Sequence, residues 1–457
     1  VASGYAAMYS NTTGSNNTGL GHNALHLNTT ASNNTAVGYQ AGYTNTTGTE
    51  NVAVGRFALN QATTASYNTA IGTNALQDNT TGASNTALGR NALTNNTTAS
   101  NNTAVGYQSA HANTTGASNT ALGRQAMYTN TTGATNTATG YNALYYNTTG
   151  TENVATGAGA LQGNTTGNYN VAMGRYALLA NTTASNNTAV GYQALYTNNT
   201  GVENVAIGTA SLYKNTTGYE NVAIGRAAGY ENTTGIRNTY IGDDANQLAT
   251  TGSNNTVIGR FNGNQGGLDI RTSSNNIVLA DGDGNPRVIV DSSGHFFVGC
   301  SSVPTGGSST GFSISNNGGI QQHTHGVSGT NNTYTSIFRN ANGTVGGIRV
   351  NGSATSYDTS SDYRLKENVV YDWDATTRLK QLKPARFNFI ADADTTVDGF
   401  LAHEAQAVVP ECASGTHNEV DDDGAAVMQG IDQSKLVPLL VKTILELEAR
   451  ITALEGA

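Results

Sequence analysis

Charge is scarce in this chain. Only 11% of its 457 residues are Asp, Glu, Lys or Arg, and the net charge is −9. The acidic balance argues against nucleic acid as the main partner. Cysteine is nearly absent. Cys300 and Cys412 lie far apart, so neither a disulfide framework nor a cysteine-rich zinc site is expected. No run of 18 apolar residues exists, so no membrane insertion is expected. The chain opens at Val1 without a signal-like segment, and an anchoring N-terminal part is expected to be missing. Proline occurs 5 times and tryptophan once. Asn, Thr and Gly dominate instead, and tyrosine supplies 22 of the 32 aromatic residues. An aperiodic chain of this kind would be disordered. Periodicity therefore decides the class.

The period is 17. From Gly4, steps of 17 reach Gly21, Gly38, Gly55 and onward to Gly259, without an insertion or deletion. The unit is roughly G-x-x-A-L-x-x-N-T-T-G-x-x-N-T-A-V. Asn stands thirteen places after each of the first fifteen glycines, from Asn17 to Asn255, and Thr stands nine places after, from Thr13 to Thr251. Seventeen residues rich in Gly, Asn and Thr cannot make a helix pair. They suffice for one coil of a β-solenoid with two short strands, N-T-A-V-G and x-A-L-x, and two turns, one of them N-T-T-G. Stacking then places each Asn above the last, so the amides can form a ladder, as can the threonines. Alanine at the third place implies a thin interior. Each coil offers about two larger apolar side chains, too few for a free-standing core, so a second face should be buried against other chains.

Asn51-Val52-Ala53-Val54-Gly55 and Asn221-Val222-Ala223-Ile224-Gly225 come close to the N-x-V-A-I-G signature of another family. On these residues the repeat resembles the β-roll heads of trimeric autotransporter adhesins, over about residues 1–261. That resemblance implies a left-handed parallel roll in a trimer, here with a longer connecting turn. The N-T-T and N-N-T triplets also read as N-glycosylation acceptors, but they recur because the turn recurs.

After Gly259 the period fails. Asn275–Ala280 and Arg287–Val290 read as strands around the turn Asp281-Gly282-Asp283-Gly284-Asn285-Pro286. The acidic turn could offer oxygen ligands to calcium, but it lacks the later glutamate of an EF-hand, and a plain hairpin is the simpler reading. His295 to Gly299 reads as another strand, and 301–309 as a loop. His323-Thr324-His325 is a metal-like pair. On a strand both histidines share a face, and three copies about an axis would present six imidazoles, suited to an octahedral transition metal. Phage receptor-binding fibres use H-x-H in this way, and the resemblance sharpens the idea. The plain alternative is two exposed or stacked histidines.

The last 97 residues differ. From Ser361 onward there are 17 acidic and 9 basic residues, against 25 charged residues in the preceding 360. A domain boundary near Ser360 follows. Ser361-Asp362-Tyr363-Arg364-Leu365-Lys366-Glu367-Asn368 opens this part. A short helix around Ala375–Leu382, a strand at Ala385–Ile390 and a helix ending at Val409-Pro410-Glu411 follow. Val437, Leu440, Ile444, Leu447, Ile451 and Leu454 then form a heptad seam. The S-D-x-R-x-K-E-N opening, Gly399-Phe400-Leu401-Ala402-His403-Glu404 and the coiled ending closely resemble the intramolecular chaperone auto-processing domain. That domain ends phage tail fibres, tailspikes and endosialidases. The resemblance implies a trimer-forming domain that helps the upstream fibre fold and then cuts itself off. It further implies that Ser361 is the nucleophile and Lys366 its base, with His403 and Glu404 orienting the site.

The chemistry is sound in itself. Serine needs a base to take its proton, and a lysine can serve where desolvation disfavours the ammonium. Residues five apart point to opposite faces of a straight strand, so a turn near Asp362, or pairing across chains, must join them. Alone, D-x-R-x-K is most often a solvated turn.

The expectation is a mainly β chain: a trimeric parallel β-solenoid shaft of 17-residue coils over 1–261, β-rich fibre modules over 262–360, and an α+β chaperone domain with a coiled-coil helix over 361–457. The β-branched residues at alternate seam positions favour two strands in isolated peptides, but the larger upstream interface should hold three. The expected function is that of a virion tail fibre attaching to a host cell-surface glycan or protein receptor. A bacterial surface adhesin on the same roll is the alternative. A glycan-cleaving spike is disfavoured, because Glu50, Glu152, Glu203 and Glu220 share one repeat column and look like turn decoration. No cofactor is firmly expected, and no catalysis beyond a single self-cleavage.

Overall fold

The computed structural model describes residues 1–299, 354–359, 361–390, 392–421 and 424–456, and the backbone of the strands Gly311–Asn317, Ile320–Gly326, Thr333–Asn340 and Gly343–Asn351. It divides into two compact units, Val1–Asp358 and Thr359–Ala457.

The first unit is built on a parallel ladder with one strand per coil, from Ala2–Ser3 and Thr18–Leu20 to Thr256–Ile258. Register follows the repeat without slip: Thr69 pairs with Thr86, Ala70 with Ala87 and Ile71 with Leu88. The expected second strand is absent. The x-A-L-x segment is a turn in which Asn74 (φ 60°) and Leu76 (φ 50°) are left-handed and flank Ala75. It still stitches the coils together, since Leu76 N donates to Ala92 O at 3.0 Å and Asp78 N to Thr94 O at 2.9 Å. Alternating backbone handedness turns Ala75 and Leu76 into the core (both 0% exposed), so the sequence pattern mimics a strand without forming one.

The interior is narrow. It holds the strand alanines such as Ala70, the turn alanines such as Ala75 and a column of leucines. Two buried asparagine ladders flank it. In one, Oδ1 of Asn68 accepts from the backbone N (3.0 Å) and Nδ2 (3.1 Å) of Asn85. In the other, Asn96 Nδ2 donates to Asn79 Oδ1 at 2.8 Å. Both converge on Ala99 O, which accepts from Asn85 at 2.9 Å and Asn96 at 3.0 Å. The second column begins the N-T-T triplets. Its amides are fully buried at Asn28, Asn79 and Asn96, so a glycan there could not be accommodated in the folded coil. The laddering threonines are those eight places after the glycine, not nine: Thr80 Oγ1 donates to Thr97 O at 3.0 Å, while Thr81 is exposed.

The ladder runs on past the last regular coil. A 21-residue turn carries a small hairpin, Asn264–Gln265 with Leu268–Asp269, and returns to place Ile277–Ala280 parallel to Thr256–Ile258. Asn276 continues the first asparagine ladder onto Asn255 at 2.9 Å. Pairing then turns antiparallel through Pro286–Val290, Phe296–Val298, Gly311–Asn317 and Ile320–Gly326. The Asp281 carboxylate accepts from the backbone N of Asp283 and Asn285 and pairs with Arg287, which ties it into the hairpin turn. His323 and His325 lie on the strand Ile320–Gly326; their side chains fall outside the described residues.

The second unit is α+β. Helix α1 (Ala375–Leu379), a hairpin of Ala385–Phe389 with Asp392–Gly399, helix α2 (Ala402–Val408) and helix α3 (Val437–Glu455) surround a small core. That core is Ala375, Ala405, Val409, Cys412, Leu436 and Leu439, with Trp373 and Phe400 packed against it. No helix is long and apolar enough to cross a membrane among the described residues.

Candidate self-cleavage site

The segment that opens the second unit makes one tight turn. Asp362 caps the single 3-10 turn Tyr363–Leu365, its Oδ1 accepting from Arg364 N at 2.9 Å. The Arg364 guanidinium returns to the same carboxylate, Nε to Oδ1 at 2.9 Å and Nη2 to Oδ2 at 2.6 Å. These bonds hold the Asp362 carboxyl below the usual range, the side-chain bond to Arg364 being the larger cause. Lys366 follows the turn in extended conformation (φ −124°, ψ 137°). Its Nζ thereby meets Ser361 Oγ at 2.8 Å. A straight strand would have kept them apart, and the turn is the device that joins them.

The pair is open to water. Every residue from Ser361 to Val370 is exposed in the single chain. A lysine acts as a base when its ammonium form is desolvated, so this arrangement has the contact chemistry requires but not the enclosure.

His403 and Glu404 are placed elsewhere. Both lie in the first turn of α2. The His403 ring stacks on His417, centroids 4.2 Å apart and 6° from parallel. Glu404 pairs with Lys383 at 3.2 Å. Neither has a hydrogen bond to Ser361 or Lys366. Sequence reasoning missed Glu446 on α3. Its carboxylate accepts from Ala375 N (2.9 Å), Thr376 N (2.8 Å) and the Thr376 hydroxyl (2.6 Å), and so caps α1 from 70 residues away. No local pattern could have signalled it.

Residues 361–414 match the family model described as the chaperone of endosialidase. That family is a self-cleaving intramolecular chaperone domain. The match begins at Ser361, includes the Ser361–Lys366 turn, His403 and Glu404, and stops before α3. No curated protein and no solved structure matches the chain. The chaperone match together with the β-solenoid supports a tail-fibre-like protein with a C-terminal chaperone domain.

Proposed function

We propose that this chain is a phage tail-fibre protein that attaches to a host surface, and that its C-terminal domain trimerises the fibre and then cuts itself off beside Ser361. The observation that carries the reading is the 2.8 Å contact of Lys366 Nζ with Ser361 Oγ, inside the matched segment. In this reading Lys366 takes the Ser361 proton as Oγ attacks a carbonyl, the peptide C–N bond breaks, and the leaving amine takes a proton. Water then hydrolyses the ester and frees the serine. Attack on the preceding carbonyl passes through a five-membered ring; cleavage of the bond after Ser361, helped by a neighbouring chain, is the alternative.

The exposure of the pair gives the proposal its regulation. The single chain leaves Ser361 and Lys366 in water; neighbouring copies in a trimer would enclose them. Two apolar faces support self-association. One is the outer row of the shaft ladder, with Leu88 44%, Ile207 39% and Ile258 43% exposed. The other is the α3 seam, with Ile444 62% and Ile451 54% exposed. Roles for His403 and Glu404 at the cut, and a threefold metal site at His323 and His325, belong to the same proposal. Metal analysis of the purified trimer tests the latter.

The deciding experiment is a denaturing gel of the expressed chain beside Ser361→Ala and Lys366→Ala. Wild type should yield pieces near 360 and 97 residues, and both variants should stay whole while still assembling. A variant cut at the wild-type rate would remove the Ser–Lys assignment.

A further inference from the structure

Charge on the shaft is sorted by column. In residues 1–208 the basic side chains are Arg56, Arg90, Arg124 and Arg175, and the acidic ones are Glu50, Asp78, Glu152 and Glu203. All four arginines stand one place after the repeat glycine. None of the acids does: the glutamates stand twelve places after and Asp78 six. The same column carries Tyr5, His22, Tyr39, Tyr107, Tyr141 and Tyr192, and every one of these residues is exposed. An even count of charges is thus drawn apart into a cationic, aromatic ridge along one edge.

The guanidinium groups are held but not neutralised. Arg90 lies over the Tyr107 ring at 5.8 Å, Arg124 over Tyr141 at 5.5 Å, Arg56 over Phe57 at 4.6 Å and Arg175 over Tyr176 at 4.7 Å. None of the four has a carboxylate partner among the described residues. Further along the same column Arg226 is paired, with Asp243 at 2.8 Å and Asp244 at 2.7 Å. The ridge is therefore uncompensated only over the earlier coils. Beside it runs a row of amides, in which Gln125 donates to Gln108 at 3.0 Å and Asn74 to Asn91 at 3.2 Å.

We infer that this ridge binds a linear acidic polysaccharide laid along the shaft. Three features select that class. Guanidinium forks recognise carboxylates bidentately. Exposed tyrosines offer apolar ring surface to sugar C–H groups, and the amides offer donors and acceptors to hydroxyls. The repeat sets the spacing: Arg56, Arg90 and Arg124 are two coils apart, or roughly 10 Å at one strand spacing per coil. That is about one disaccharide of an extended chain, so carboxylates on alternate sugars could meet successive arginines. The inference rests on the attachment reading and names its ligand class.

The test uses the full-length protein with polygalacturonate, with neutral dextran of matched length and with single-stranded DNA. Polygalacturonate should bind, weaken as salt rises, and lose about tenfold in affinity in Arg90→Gln/Arg124→Gln, the loss of roughly 1.4 kcal/mol. Arg226→Gln/Arg260→Gln, on the paired end of the column, where Arg260 lies 3.7 Å from both Asp243 and Asp244, should bind as wild type. No binding of polygalacturonate, equal binding of dextran, equal or tighter binding of DNA, or an unchanged double variant would each overturn the proposal. Adsorption of the fibre to host cells is a separate measurement. Adsorption that persists in Arg90→Gln/Arg124→Gln would sink the ridge and leave attachment standing.

Discussion

Asn45 and Asn232 each bury a side-chain oxygen that no donor reaches. The cause is one coil away. The asparagine seven places after the glycine is replaced by Ala62 above Asn45 and by Ala249 above Asn232. Elsewhere the column is joined, as by Asn113 to Asn96 at 2.9 Å. A buried acceptor without a donor costs more than a made bond returns. Ala62→Asn should therefore stabilise the shaft by about 1 kcal/mol, because the new amide would donate to Asn45 and accept from Asn79. A denaturant midpoint that fails to rise would show that the coil has no room for it. The opposite kind of exchange occurs near the end of the shaft. Tyr240 replaces a strand alanine and is fully buried, and Gly229 replaces the core leucine, where an added Cβ would stand 2.6 Å from the Tyr240 ring. Burial pushes the Tyr240 hydroxyl far up from its ordinary value.

At the scale of elements, the glycine period fixed coil length, strand register and one asparagine ladder, because each depends only on what lies 17 residues away. The x-A-L-x segment departs from a strand for a physical reason. Alternation of apolar and polar residues is shared by a strand and by a turn of alternating handedness, and no residue type separates the two when leucine itself adopts φ near 50°. The Ser361–Lys366 contact was legible because its turn is local: Asp362 is a good cap and Arg364 stands two residues on. Glu446 capping α1 was not, because it depends on how α3 packs. That cap makes a pH prediction. The backbone N–H of Ala375, then the hydroxyl and N–H of Thr376, hold the Glu446 carboxyl below its ordinary range. A group depressed in the folded state stabilises fully above its unfolded value, and that contribution is lost as pH falls through the folded value. The 361–457 domain should lose stability on acidification below the usual carboxylate range, and Glu446→Gln should flatten that limb. Equal acid limbs in the two proteins would show that the cap contributes nothing to it. On the opposite side of α3, Ile444→Asp places a charge on the exposed seam. If neighbouring helices cover it, the variant should assemble poorly and also remain uncut, since enclosure of Ser361 and Lys366 would be lost. Wild-type cutting by a monomeric Ile444→Asp would show that one chain suffices.

For the whole molecule, the proposed chaperone role makes a prediction about the order of folding. Each shaft coil touches only its neighbours and buries little more than alanine and one leucine, so a single coil cannot hold itself and nucleation needs several coils at once. Once stacked, the strand and asparagine ladders hold neighbouring coils together, so unfolding should be slow. A C-terminal domain with its own core can fold before the coils and, in the trimer proposed above, would bring the chains into register and lower the entropic cost of that nucleus. Removing it afterwards should leave the unfolding barrier unchanged and raise the folding barrier. The comparison is between mature wild-type shaft and uncut Ser361→Ala, both denatured and then diluted into native buffer. Their unfolding half-lives should agree, because the same ladders break in each. Their refolding yields should differ, with the uncut chain recovering trimer and the cut shaft aggregating or staying unfolded. A cut shaft that refolds as well as the uncut chain would mean that the coils carry their own nucleus, and the terminal domain would then have no folding role to lose.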